Sequence, residues 1–166
     1  MNDPAALLAQ RLIRNFEQVE KNHDSRPPLY DSIGARLGTG TAASKLGASI
    51  DIVAPGMRSC PYHFHYAQEE MFIVLEGTGT LRVAGEHLPI KSGDIIFIPP
   101  GPEYPHQIIN SSDAPLKYLS ISTREQPELV EYPDSGKFQA TALHEGEPVR
   151  YVQRPSASLD YWQDEP

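Results

Sequence analysis

A single cysteine, Cys60, leaves no partner for an intrachain disulfide, so no disulfide framework organises this chain and a reducing compartment suits it. Long apolar runs are missing as well: none approaches the roughly 20 residues that a membrane-spanning helix needs. Near the N-terminus the apolar stretch is short and broken by Arg11, Arg14 and Glu17, which does not fit a cleaved leader, and the cytoplasm is the expected location. Positive charge is scarce. Lys and Arg number 14 against 22 Asp and Glu, a net charge of −8 with no basic stripe, so neither a nucleic acid nor a membrane is expected as a partner. A small molecule or another protein chain is the expected one.

Proline, by contrast, is abundant: 16 of 166 residues, against a usual share of about 5%. That suits a chain with many turns, and the length suits one domain with a core of its own. Residues 4–21 read as one amphipathic helix, with Asp3 as cap, Pro4 in the first turn, and Leu8, Leu12, Phe16 and Val19 on one stripe. A polar connector through Pro27-Pro28 completes residues 1–32.

From residue 33 the period changes. Short segments rich in Ile, Val, Phe and Leu alternate with Gly/Pro turns: Ala48–Ala54, Met71–Leu75, Gly79–Val83, Asp94–Pro99, His106–Asn110 and Leu116–Ser122. With no helical pattern between them, they predict an all-β antiparallel sandwich or barrel over residues 33–123. Residues 124–166 carry Pro127, Pro133, Pro148, Pro155 and many charges, and are expected to wrap the barrel, with Tyr161-Trp162 as a hydrophobic anchor.

Chemistry concentrates in one constellation. His63 and His65 flank Phe64 and share one face of a strand; Glu70 follows after a turn and shares a face with Phe72 and Val74; His106 shares one with Ile108 and Asn110. Three imidazoles and one carboxylate suit a mid-row divalent metal. His23, His87 and His144 have no such spacing around them.

These stretches resemble the two motifs of the cupin superfamily. The segment Gly56…His63-Phe64-His65…Glu70…Gly77 is similar to the first motif, with six residues between Gly56 and His63, one more than usual. The segment Gly93…Pro99-Pro100-Gly101…His106…Asn110 is similar to the second, with four residues between Gly101 and His106 where the family usually has two. The resemblance covers roughly residues 45–123. It implies a small single-domain (monocupin) protein: an antiparallel β-barrel of the double-stranded β-helix or jelly-roll kind, with an N-terminal helix and a C-terminal extension. It also implies one divalent metal ion (iron, manganese, zinc, nickel or copper) held by His63, His65, Glu70 and His106. Glu69 competes for the carboxylate role, and the family's spacing to Gly77 selects Glu70. Small cupins commonly pair, so a symmetric homodimer is expected.

Such a metal keeps one or two coordination positions open, for Lewis-acid chemistry or, with a redox metal, dioxygen chemistry. Strand parity nominates Phe72, Ile108 and Asn110 as substrate-binding, and Tyr104 joins them by its place in the sequence. Tyr62 and Glu103 stand near the ligands too, and Cys60 reads as a buried or rim thiol. Two functions follow: a metal-dependent oxygenase, isomerase or lyase acting on a small polar metabolite, or a non-catalytic module that binds or senses one. A purely structural metal fits less well, since structural zinc sites are usually closed and rich in thiolate.

Overall fold

A computed structural model describes residues 3–155 and 158–165. Helix α1 (Pro4–Leu12) starts as expected: Asp3 accepts a hydrogen bond from the Ala5 N–H at 3.0 Å, and Pro4 occupies the first turn. It stops at Leu12, not at residue 21. None of its residues is buried, so no packing sustains it, and just beyond it Asn15 Oδ1 accepts the Glu17 N–H at 2.9 Å in a competing local turn. Phe16 and Val19 are half-buried without being helical, and Lys117 Nζ stands 5.4 Å from the Phe16 ring.

The expected connector instead holds a hairpin of β1 (Asn22–Arg26) and β2 (Tyr30–Arg36), with Asn22 opposite Gly34 and Arg26 opposite Tyr30. Every residue of β1 is exposed, so it shows no hydrophobic period to read. The remaining strands are β3 (Leu46–Val53), β4 (Phe64–His65), β5 (Glu70–Glu76), β6 (Thr78–Val83), β7 (Glu86–Lys91) and β8 (Ile95–Ile98). Then come β9 (His106–Ile109), β10 (Leu116–Thr123), β11 (Glu128–Tyr132), β12 (Lys137–His144) and β13 (Glu147–Gln153). They form sheets in the orders β1-β2-β3-β10-β5-β8, β13-β12-β11-β4 and β7-β6-β9, antiparallel throughout. The chain is therefore an antiparallel β-barrel with an N-terminal helix. Among the described residues no helix is long and apolar enough to cross a membrane.

The C-terminal stretch adds strands: β11 pairs with β4, placing Val130 opposite His65. Tyr161 and Trp162 do not anchor the tail. They are 82% and 73% exposed, and they meet edge-to-face with each other at 4.9 Å.

The core gathers Val53, Phe72, Val74, Leu81, Ile90, Ile98, Ile108, Leu116 and Tyr118. Each fully buried aliphatic side chain contributes about 1.5–3 kcal/mol over exposure. Gly77, at φ +85°, carries the chain from the six-stranded to the three-stranded sheet; a Cβ there would meet Pro115 O at 2.6 Å. At Gly79 it would meet Ile109 O at 2.7 Å. Both positions exclude larger residues for reasons of space, and Gly77 for its backbone conformation too.

Moving along the six-stranded sheet, the interior changes character. Val53 lies in register with Ser32 and Leu116; the next inward position on β3, Asp51, with Gly34 and Tyr118; then Ser49 with Arg36 and Ser120; then Gly47 with Ser122. On the other side of β10, Ser120 faces Phe72 and Ser122 faces Glu70. An apolar floor thus gives way, rung by rung, to hydroxyl and charged side chains.

Candidate metal centre

The four candidate ligands sit at strand ends. His63 directly precedes β4 and His65 ends it; Glu70 begins β5; His106 begins β9. His63 and His106 bond by their main chains, His63 N to His106 O at 3.1 Å and His106 N to His63 O at 2.7 Å. Alternation places Phe64 on the opposite side from both flanking histidines, where it is buried against Tyr66 at 5.2 Å.

The imidazoles converge. Ring centroids lie 5.0 Å apart for His63–His65 and 4.6 Å for His63–His106. Glu70 Oε2 lies 2.7 Å from His106 Nε2, 3.4 Å from His65 Nε2 and 3.8 Å from His63 Nε2. The tightest group is His63, Glu70 and His106, whose ligand atoms all lie within 4.8 Å of one another, with His65 beside them. Backbone carbonyls orient two of the rings: Pro61 O lies 2.8 Å from His63 Nδ1, and Tyr104 O 3.1 Å from His106 Nδ1. These contacts assign the proton to Nδ1 and leave Nε2 as a lone pair aimed at Glu70.

Electrostatics favour the ligand-competent forms. Burial drives His65 down to about 4, against the pull of Glu70 and with repulsion from His63 and His106 adding to the fall. Burial pushes the Glu70 carboxyl up, but its contact with His106 and the charges of His65, His106 and His63 hold it below the ordinary carboxylate range overall. At neutral pH His65 is thus an uncharged imidazole beside an ionised Glu70 carboxylate.

The donor set fits a cation. His106 Nε2 and Glu70 Oε2 are buried with no hydrogen-bond partner: at 2.7 Å they are close enough to pair, but not aligned to do so. Two orphaned acceptors facing one another inside a protein are costly unless something positive lies between them.

Phe72 lines the same cavity, its ring 5.7 Å from that of His106. The other sequence-nominated residues are not on its lining. Ile108 belongs to the core; the Asn110 amide donates to Val53 O and Ala114 O at 2.8 Å each; Tyr104 is 44% exposed and contributes its carbonyl. Tyr62 is buried beneath the Arg82 guanidinium, 3.8 Å from its ring centroid, and Glu103 is exposed. Glu69 is exposed too, whereas Glu70 turns inward. Cys60 is half-buried on the cavity lining, and burial raises its thiol to about 12.

Two residues without a motif matter here. Glu128, on β11, accepts N–H bonds from Tyr66 (3.0 Å), Ala67 (3.3 Å) and Gln68 (2.8 Å), gripping the turn between His65 and Glu70. Its Oε1 stands 3.8 Å from His65 Nδ1. Asp51, on β3, accepts from Ser49 Oγ at 2.9 Å and lines the cavity; burial raises its carboxyl against the opposing Ser49 bond and Arg36 charge. The one signal for Asp51 is an acid sharing a strand face with Val53; Glu128 has none.

Residues 49–122 match the family model described as the cupin domain, and that stretch of the chain is a domain of the cupin superfamily. It is 40% identical over 73 residues to an uncharacterised protein of Methanocaldococcus jannaschii, a match covering 42% of this chain and 57% of that one. The chain thus spans little more than half the length of that relative. It is 27% identical over 141 residues to auxin-binding protein 1 of Arabidopsis thaliana, covering 79% of this chain and 68% of that one. A crystal structure of a candidate sugar phosphate isomerase from Acidithiobacillus ferrooxidans superposes with a TM-score of 0.73 at 26% identity, covering 86% of this chain and 92% of that one.

Proposed function

We propose that this protein is a divalent-metal-dependent cupin that takes a small polar metabolite into its barrel and isomerises it. The observation that carries this reading is the convergence of His63, His65 and Glu70 on the wall of a cavity of about 990 Å³, with His106 buried directly behind Glu70 and its Nε2 and Glu70 Oε2 unpartnered. Those four residues would hold the metal, which when bound supplies Lewis acidity toward a carbonyl or hydroxyl of the metabolite. The chain's own groups do the positioning: the Pro61 and Tyr104 carbonyls set the rings, Phe72 walls the site, and the barrel limits access of bulk water. Isomerisation, in preference to oxygenase or lyase chemistry, is supported by the similarity to the candidate sugar phosphate isomerase.

A second reading, binding without turnover, is supported by the similarity to auxin-binding protein 1. Either way we infer a homodimer, since Leu7, Leu8, Leu12 and Ile13 around α1 and Phe97 on β8 leave apolar surface exposed, and a reducing, cytoplasmic setting, since Cys60 has no second cysteine to pair with. Light scattering at micromolar concentration should give twice the 18.4 kDa of the chain; a single-chain mass would refute the dimer.

Elemental analysis of the purified protein beside His63→Ala and His106→Ala tests the metal. One ion per chain, lost in both variants, is expected, and its identity decides among iron, manganese, zinc, nickel and copper. No metal after reconstitution overturns the reading. A metabolite panel followed by NMR then separates turnover from a ligand retained unchanged.

A further inference from the structure

We infer that the polar half of the barrel recognises a polyhydroxylated, sugar-sized ligand, with Asp51 accepting hydrogen bonds from its hydroxyls and the Ser49, Ser120 and Ser122 row extending that contact to the Glu70 carboxylate. This rests on the pocket being the ligand site proposed above, and not on turnover.

The argument begins with register. Ser122 lies directly across from Glu70, Ser120 across from both Phe72 and Ser49, and Asp51 one inward position further along β3. Side chains directly opposite across an antiparallel pair stand about 4.5–5.5 Å apart at Cβ, and same-face neighbours along a strand about 7 Å apart. By these spacings the row runs roughly 14 Å at Cβ from Asp51 to Ser122, with the metal-ligand carboxylate at one end.

The chemistry along the row is that of hydroxyl recognition. Asp51 Oδ2 takes the Ser49 hydroxyl, which leaves Oδ1 for a ligand. Among the described residues, the Ser120 and Ser122 hydroxyls and the Arg36 guanidinium have no hydrogen-bond partner, and all of them line the cavity. The Arg36 guanidinium offers N–H donors in a plane, which matches a vicinal diol, Asp51 Oδ1 accepts from a hydroxyl, and serines both donate and accept. Such groups bind poorly to an apolar aromatic acid, because its insertion would strip water from them without replacing the bonds.

Space agrees with chemistry. Gly34 and Gly47 stand where any side chain would crowd the row: a Cβ at Gly34 would come within 3.1 Å of Asp51 Oδ1, and one at Gly47 within 3.1 Å of Ser122 Oγ. At about 990 Å³ the cavity is far larger than a two-carbon diacid needs and lies in the range of sugar-sized ligands. Burial raises the Asp51 carboxyl, and a ligand hydroxyl donating to it would offset the burial of its charge.

The test is calorimetric and ligand-observed NMR binding with the full chain, its metal content measured beforehand. The panel holds aldoses, alditols, aldonates and sugar phosphates, with indole-3-acetate and oxalate as the opposing arms. Binding by one or more polyhydroxylated compounds, weakened roughly 10- to 100-fold in Asp51→Asn, is expected. Ser120→Leu, which fills the row without removing Asp51, should weaken it as well. Binding of indole-3-acetate or oxalate alone, no binding by any polyhydroxylated compound, or equal affinity in Asp51→Asn would overturn the inference. A protein that takes up no metal yet binds a polyol would overturn the metal reading and leave this one standing.

Discussion

His63 and His106 are 43 residues apart in sequence, yet each donates its main-chain N–H to the other's carbonyl, at 3.1 and 2.7 Å. The two rings are therefore brought together by backbone, and their side chains are not needed to close that contact. Alanine at either position should leave the barrel folded by circular dichroism and remove most of the bound metal, to roughly a tenth of an equivalent or less. Full metal occupancy in a folded His106→Ala protein would sink the assignment.

Glu128 should matter to the metal although it is not offered as a ligand. Its carboxylate ties the Tyr66–Gln68 backbone and stands beside His65, as outer partners of metal-binding imidazoles do. In Glu128→Ala we expect metal affinity to fall about 10- to 100-fold, read by chelator competition. The cobalt-substituted protein should also change its visible spectrum. Unaltered affinity and spectrum would reduce Glu128 to a turn cap.

Asp51 gives a pH prediction with a definite sign. Burial raises its folded carboxyl above the unfolded value of 3.8, so its proton binds more tightly in the native state. The stability this contributes is full below the unfolded value and is lost as pH rises through the folded one. Asp51→Asn should therefore melt above the parent at pH 7–8, and the advantage should vanish near pH 3. A variant that is less stable at neutral pH would contradict this.

Cys60 should be inert. With its thiol raised to about 12, the thiolate fraction at pH 8 is negligible, and iodoacetamide should label the folded protein far more slowly than the same chain in denaturant. Rapid labelling of native protein would place the thiol at an open, polar rim instead.

The sequence by itself determined the barrel and nominated the ligands. Alternation at Glu70, Phe72 and Val74, the paired His63 and His65, and glycine at 77 are local signals, set by strand parity and backbone sterics that need no knowledge of distant chain. Only the tertiary structure decided how the rest is used. The helix stripe stops at Leu12 because no surface receives it, and β1 exists because β2 offers it hydrogen bonds. Ile108 and Asn110 lie on a face that parity allowed to be inward, but the apolar floor and the Val53 and Ala114 carbonyls claim them. Glu128 and the Asp51–Ser49–Ser120–Ser122 row acquire meaning only through register between strands far apart in sequence. Pairing partners are chosen by the packing of the whole barrel, and no local pattern encodes them.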